Sequence, residues 1–278
     1  MRRLNTLSEK SRLRILNTSK VVFVNGFFVI ALFFFSFISA ELTHLEKGKN
    51  FYDQRADKSI GLKADSNFIE RAIDEFQKAI NNPKDELDAG LFLLKCYYFK
   101  GKFVSQNDDK KKDIYSKGKV LGEKLISLYP ESVSVHYWYL VNLGSWAEIY
   151  GTMSAAREGV AGIMRNVSKK IIKIDPNYSD GGGYFMLGAV HFKAPYIPFV
   201  LSWPSNDKAL EYLYLAYNTG DSTPSQTVYL SRALYKNGQE KKAISLLSSL
   251  LNENISKAYK LEDMDQHEIA RGLLEEWK

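Results

Sequence analysis

Residues 136–151 read HYWYLVNLGSWAEIYG (His136–Gly151), with Glu148 as their one acidic group and no lysine or arginine. Tyr139, Leu143, Ala147 and Tyr150 fall at helical spacing on one side, and Trp138, Asn142 and Trp146 on another. A helix that is apolar on more than one side is enclosed by neighbours rather than laid on a surface. Gly144 stands in its middle, where glycine costs about 1 kcal/mol relative to alanine. Close crossing by a second helix is the expected compensation. The stretch therefore predicts an inner helix of a stacked α-structure, whose neighbours should resemble it.

They do. Outward from this helix, Ile114–Tyr129 stops at Pro130, and Ser154–Ile174 reads as one long helix ending at Asp175-Pro176. Phe68–Asn81 ends at Asn82-Pro83, and Leu87–Phe99 follows. Lys100–Lys112 reads as a polar, solvated loop. Towards the C-terminus come Gly183–Phe192, Ser205–Tyr217 with Ser205 as N-cap, Gln226–Lys236 opened by Thr223-Pro224, Gln239–Leu251 and Met264–Trp277. No alternating strand pattern runs for long.

Pro83, Pro130, Pro176 and Pro224 stand 47, 46 and 48 residues apart at boundaries between helix pairs. A period of this size marks a stacked helical array. The last pair matches the tetratricopeptide pattern through Leu230, Leu234, Gly238, Ala243, Leu247 and Leu250. Leu143-Gly144 and Leu187-Gly188 repeat its first-helix signature. Ala72, Phe76 and Ala79, and again Ala209, Leu213 and Ala216, repeat its second-helix spacing. Small residues let backbones approach, large ones fill the gaps, and each pair buries its apolar face only against the next. The expected fold is all-α, a tetratricopeptide-like α-solenoid over residues 41–278.

Residues 1–40 form a separate unit. They carry Arg2, Arg3, Lys10, Arg12, Arg14 and Lys20 against Glu9 alone, followed by the uncharged VVFVNGFFVIALFFFSFISA at 21–40. Two readings stand: a signal peptide cut after Ser39-Ala40, or an uncleaved anchor, for which about 20 apolar residues suffice. Either directs residues 41–278 out of the cytoplasm, since the basic flank stays inside. The leader also holds most of the net charge of +6. The remaining 32 basic and 31 acidic groups nearly cancel, so the body offers no electrostatic footprint for nucleic acid.

Candidate chemistry is sparse. His44, His136, His191 and His267 stand apart from one another and from Cys96, so no metal-ligand spacing exists, and no cofactor is expected. Cys96, beside Leu93, Leu94 and Tyr97, reads as a core residue. Gly181-Gly182-Gly183 lacks the lysine and hydroxyl of a phosphate loop and reads as an entry to a tightly packed helix. With no acid–base constellation, a binding protein is expected rather than an enzyme. The stretch HFKAPYIPFVLSWPSN (His191–Asn206) is broken by Pro195, Pro198 and Pro204 yet strongly apolar. It is either a lid over the core or the wall of a groove. If a groove exists, Tyr139, Trp146, His191, Tyr196, Phe199 and Trp203 are the residues expected at a ligand or partner, although aromatic stripes at helical spacing are usually core.

Two resemblances follow from these motifs. HYWYLVNLGSWAEIYG, KKIIKIDPNY followed by GGGYFMLG, and NDKALEYLYLAY resemble the T component family of bacterial TRAP transporters. That resemblance implies an exported helical-repeat protein that partners a transporter's solute-binding subunit or takes a small hydrophobic ligand. Self-association is compatible with it. The lipid-attachment cysteine of that family is missing. The order of parts, with the terminal EDMDQHEIARGLLEEW, is similar to the regulator of microtubule dynamics family. The alternative function is a membrane-anchored interaction scaffold with its repeats on the cytoplasmic side, which requires the basic-flank rule to fail. Neither resemblance carries a catalytic signature.

Overall fold

The helices pair as the prolines divide them. In the computed structural model, which describes residues 41–277, the helices are α1 (His44–Asp53), α2 (Ser66–Ala79), α3 (Glu86–Phe99), α4 (Asp108–Leu128), α5 (Val133–Tyr150), α6 (Thr152–Arg157), α7 (Val160–Ile174), α8 (Tyr178–Lys193), α9 (Asn206–Tyr217), α10 (Pro224–Lys236), α11 (Glu240–Leu250) and α12 (Lys260–Glu276). Caps mark several starts. Ser132 accepts from the Val135 N–H, Ser205 from Lys208, and Thr223 with Gln226 forms a capping box ahead of α10. The expected all-α array is what the described residues form.

The pairs are α1/α2, α3/α4, α5/α7, α8/α9 and α10/α11. Their first members, α1, α3, α5, α8 and α10, touch in succession and continue into α12. Each second member packs on its own partner and on the next first helix. In a curved stack, the layer whose helices lie side by side is the inner one. The first helices therefore form the inner face. Polar ties link successive pairs at about one repeat's separation. Asn142 Nδ2 donates to the Leu94 carbonyl at 3.0 Å, besides that of Trp138 in its own helix at 2.9 Å, and Gln226 Nε2 donates to the Asp180 carbonyl at 2.7 Å.

The core runs the length of the stack, from Phe76, Phe99 and Phe103 through Leu140, Leu143 and Ile171 to Leu213, Leu230 and Leu247, all essentially inaccessible. Burying each such side chain contributes about 1.5–3 kcal/mol before entropy is counted. Cys96 is fully buried, as its apolar neighbours predict, and burial pushes its thiol pKa up.

Several expectations need correction. Gly144 is not a tight crossing, because a Cβ there would meet only Met164 Cε at 3.6 Å. The close approaches lie at other glycines. A Cβ on Gly118 would overlap Asn142 Oδ1, one on Gly122 would fall 2.6 Å from the Tyr139 ring, and one on Gly188 2.7 Å from Leu213. The 154–174 helix is broken in two, since Gly159 adopts a left-handed φ of 65° between α6 and α7. Lys100–Lys112 is not a solvated loop. Lys100–Val104 continues α3 as a π-helical turn that buries Phe103, and α4 begins at Asp108. Helix α1 has no counterpart in the sequence reading.

Gly181–Gly183 does form a tightly packed entry. Ser179, Asp180 and Gly181 all have positive φ. A Cβ on Gly182 would strike Tyr137, and one on Gly183 would strike Ile171 and Ile172. Residues 21–40 lie outside the described span. No described helix is long and apolar enough to cross a membrane.

Candidate functional site

Four of the inner helices each present a stripe at i, i+3/i+4 or i+7 spacing to the inner face. From α3 and its π-turn come Lys95, Tyr98 and Lys102; from α5, Trp138, Val141, Ser145 and Glu148. From α8 come Phe185, Phe192 and Lys193, and from α10 Tyr229, Arg232 and Lys236. Ring contacts join the stripes of α3 and α5, and those of α8 and α10. Tyr98 lies 6.2 Å from Trp138, and Tyr229 lies 5.3 Å from Phe185 and 6.2 Å from Phe192. Most of these aromatics are half-buried, with one edge against the core and one open to the groove.

Cations sit over the rings. Lys95 Nζ is 5.5 Å from the Trp138 ring centre, and Arg232 and Lys236 are each 5.4 Å from that of Phe192. Burial, with Arg55 nearby, lowers the Lys95 pKa. Lys193 is held by Glu148 at 2.9 Å. Burial pushes the Tyr98 hydroxyl pKa up, and the carboxylates of Glu262 and Asp265 add to the rise. Tyr98 therefore stays a neutral hydrogen-bonding group.

Those two carboxylates belong to α12, which runs from the last pair of the array to its first. Its last turns pack on the final pair: Ala270 joins Val228, Leu247 and Leu250, and Trp277 stacks on Tyr235 with centroids 4.0 Å apart. Its first turn reaches the opposite end of the stack. Leu261 is fully buried among Tyr52, Phe99 and Phe103. Arg55 donates to Tyr52 O at 3.3 Å, to Ala258 O, and to Glu262 Oε1 at 3.3 Å, while its guanidinium lies 4.3 Å over the Tyr52 ring. Lys102 holds Asp265 at 2.6 Å. The α12 segment thus shows what this face accepts: an acidic helix with apolar side chains between its carboxylates.

Among solved structures, the chain is similar to a thermophilic TPR protein, TTC0263, of Thermus thermophilus. The TM-score is 0.53 at 15% identity, covering 84% of this chain and 96% of that one. The chain is a tetratricopeptide-like array. Two structures of MamA align more loosely, with TM-scores of 0.42, identities of 14% and 15%, and coverage of 72% and 78% of this chain and 92% and 93% of theirs. No family model and no curated protein matches the chain.

The array scatters the six residues expected at a ligand. Tyr139 lies in the core against Gly122, its hydroxyl pKa pushed up to about 12 by burial and the nearby Glu123 and Glu158. Trp146 is also buried, stacked on Tyr150 at 4.4 Å under Lys119. His191 and Trp203 do meet, edge to face at 4.9 Å, with Arg165 4.7 Å over the indole. His191 is buried with Nδ1 unpartnered. Burial and the charges of Arg165, Lys169 and Lys208 hold its pKa down at about 4, so the ring is neutral. Tyr196 and Phe199 stand apart from these, exposed at the tip of the α8–α9 connection.

The connection is therefore part lid and part projection. Trp203 packs on His191 of α8 under Arg165 of α7 and Pro204 is buried, while Tyr196, Phe199 and Val200 are exposed. The inner-face stripes were missed, although their i, i+3, i+7 spacing is present in the sequence once the pairs are registered. Two open clefts lie elsewhere, of about 580 Å³ beside Phe51 and Arg71 and about 530 Å³ beside Leu251 and Trp277. Among the described residues no cluster of histidine, cysteine and carboxylates could hold a metal.

Proposed function

We propose that the array is an extracytoplasmic binding adaptor that takes a protein segment along its inner face. The observation that carries this is the pair of half-buried aromatic patches with cations over their rings, Lys95, Tyr98 and Trp138 on one side and Phe185, Phe192, Tyr229, Arg232 and Lys236 on the other, bridged by the Lys193–Glu148 pair. Aromatic anchors with arginine are the side chains that concentrate binding energy at interfaces. The segment it suits is amphipathic and acidic, as α12 is where it docks. A solute-binding subunit of a TRAP-type transporter is the partner implied by the resemblances at His136–Gly151, 169–178 and 206–217. The alternative is an anchored scaffold held by residues 21–40 and serving no transporter.

The binding test uses the full chain carrying a photo-crosslinking amino acid at Tyr229 or Trp138 in its native host, with Val120 on the outer layer as control. Crosslinks to a defined protein at the inner positions, lost with Arg232→Glu, support the reading. Equal capture at position 120, or capture indifferent to Arg232→Glu, overturns it. Export is checked by N-terminal sequencing of the native protein. A start at Glu41 supports a cleaved leader. A start at Met1, with the array shielded from protease added outside intact cells, refutes export.

A further inference from the structure

Helix α7, VAGIMRNVSKKIIKI, carries Arg165, Lys169, Lys170 and Lys173 and no carboxylate. Lys170 is engaged by Glu131 at 3.3 Å, whereas among the described residues Arg165 and Lys169 have no carboxylate within ion-pair distance. Both stand close enough to His191 of α8 to depress its proton affinity, as does Lys208 of α9. The carboxylates in the first turns of α9 are Asp207 and Glu211, and Lys208 holds Glu211 at 2.6 Å. Even with Asp207 counted, three cations meet two carboxylates. The buried imidazole therefore stands in positive surroundings.

Two nitrogens of this cluster, Arg165 Nε and His191 Nδ1, are buried without a hydrogen-bond partner, and His191 as a whole is only 7% exposed. Buried polar atoms are nearly always paired, so each of the two calls for a partner. Arginine Nε is always a donor, and a neutral imidazole protonated at Nδ1 supplies a second. Two donors in positive surroundings select an acceptor that carries negative charge. A water molecule would meet the hydrogen bonds and leave the charge uncompensated. Both side chains flank one indole: Arg165 lies 4.7 Å from the Trp203 ring centre and His191 4.9 Å from it, with the Tyr212 ring 5.7 Å from His191. Beyond the donors the walls are thus aromatic, which suits a carbon skeleton better than the further oxygens of a phosphate. Trp203 covers the cluster. Between Pro195 and Pro204 every backbone hydrogen bond is internal to the connection, Ile197 with Leu201 and Val200 to Ile197, so Trp203 lifts without breaking a backbone bond to any helix. A cover of one side chain admits a small molecule and shuts out a protein surface.

We infer that Arg165 and His191 form a binding site for the carboxylate of a small organic acid, with Arg165 Nε–H and His191 Nδ1–H donating to its oxygens and its carbon skeleton against Trp203 and Tyr212. A guanidinium edge matches a planar carboxylate better than an ammonium does, which makes Arg165 the anchor and Lys169 a longer-range charge. The site lies between α7, α8 and α9, apart from the inner-face stripes, and stands or falls independently of the protein-segment reading.

The test titrates the full chain, labelled with nitrogen-15 in its histidines, with benzoate, with its neutral isostere benzamide and with inorganic phosphate, at pH 7 and constant ionic strength. The ring nitrogens are read by NMR. His136, whose Nδ1 already bonds the Ser132 carbonyl at 2.8 Å, serves as internal control. Expected are a saturable benzoate-dependent shift of the His191 nitrogens with His136 unmoved, no response to benzamide, and weaker binding of phosphate. Arg165→Gln should raise the benzoate Kd at least ten-fold, and Lys169→Gln about two-fold, with the melting temperature near that of the unmutated chain. Three results overturn the proposal: a His191 ring indifferent to benzoate, which leaves water as the occupant; an equal response to benzamide, which makes the site merely apolar; and phosphate bound more tightly than benzoate. The benzoate–benzamide comparison on the unmutated chain decides the matter even where a variant is unstable.

Discussion

Leu261→Ala removes the side chain by which α12 reaches the first pair. Leu261 is fully buried, walled by Tyr52, Phe99 and Phe103 and backed by the Arg55–Glu262 contact. The truncation deletes about three methylene equivalents, a transfer loss of about 2.4 kcal/mol. Tyr52 is backed by Phe92, itself stacked on Phe76, and Phe99 and Phe103 pack on each other, which limits collapse of the walls into the space. A cavity penalty is added, and the total should reach about 3–5 kcal/mol, against a typical domain stability of about 5–15 kcal/mol. Urea unfolding, followed by far-ultraviolet circular dichroism and by tryptophan fluorescence, measures it. Because α12 ties both ends, the two probes should lose stability together, and amide protons of α1 should exchange faster. A loss below about 1 kcal/mol would refute the reasoning. So would faster exchange confined to residues 258–277, with α1 unchanged.

Arg55→Met alone should cost about 3–5 kcal/mol by stranding Glu262, whereas Arg55→Met with Glu262→Leu should recover most of that loss; equal melting of the two variants would contradict a buried pair. Gly118→Ala should destabilise by about 1–3 kcal/mol, since Asn142 is held by two carbonyls and cannot swing away, while Gly144→Ala should be neutral or stabilising by up to about 1 kcal/mol. The reverse order in thermal melts would overturn the glycine assignment. His191 is neutral in the fold with its pKa held at about 4, against about 6.5 when unfolded. The unfolded chain therefore binds the extra proton between those values, and stability should fall as pH drops through that window and level off beneath it. A ring titration by NMR with a midpoint near 6.5 would refute this.

Much of the array was legible. The proline period gives the pair boundaries, and Ser205 and Thr223-Pro224 announce their helices, because caps and stops act through neighbours in sequence. What escaped depends on distance or on cancelling signals. Helix α1 is short and polar along HLEKGKNFYD, although its Thr43–Glu46 capping box was there to be seen. Gly144 and Gly118 look alike on paper, and only the register of α4 against α5 tells which one faces a neighbour. Phe103 sits among lysines and glycine, so its segment read as solvated. The inner face draws one stripe from each of α3, α5, α8 and α10, so no local motif encodes it. In the 191–206 insertion the sequence offered lid or groove as alternatives, while the fold uses Trp203 one way and Phe199 another.

An open solenoid can grow by adding pairs, each new one completing the surface of the last. The seat of Leu261 breaks that rule here. The chain leaves the ribosome, and passes any export channel, with its first pair leading and α12 last. Until Leu261 and Glu262 emerge, the socket between Tyr52, Phe99 and Phe103 stays open and Arg55 lacks its carboxylate. The leading end is thus kept unfinished for as long as the trailing end is in transit. Truncation by even the last two turns of α12 loosens its hold on the final pair, so a defect at the C-terminus should surface as instability at the N-terminus.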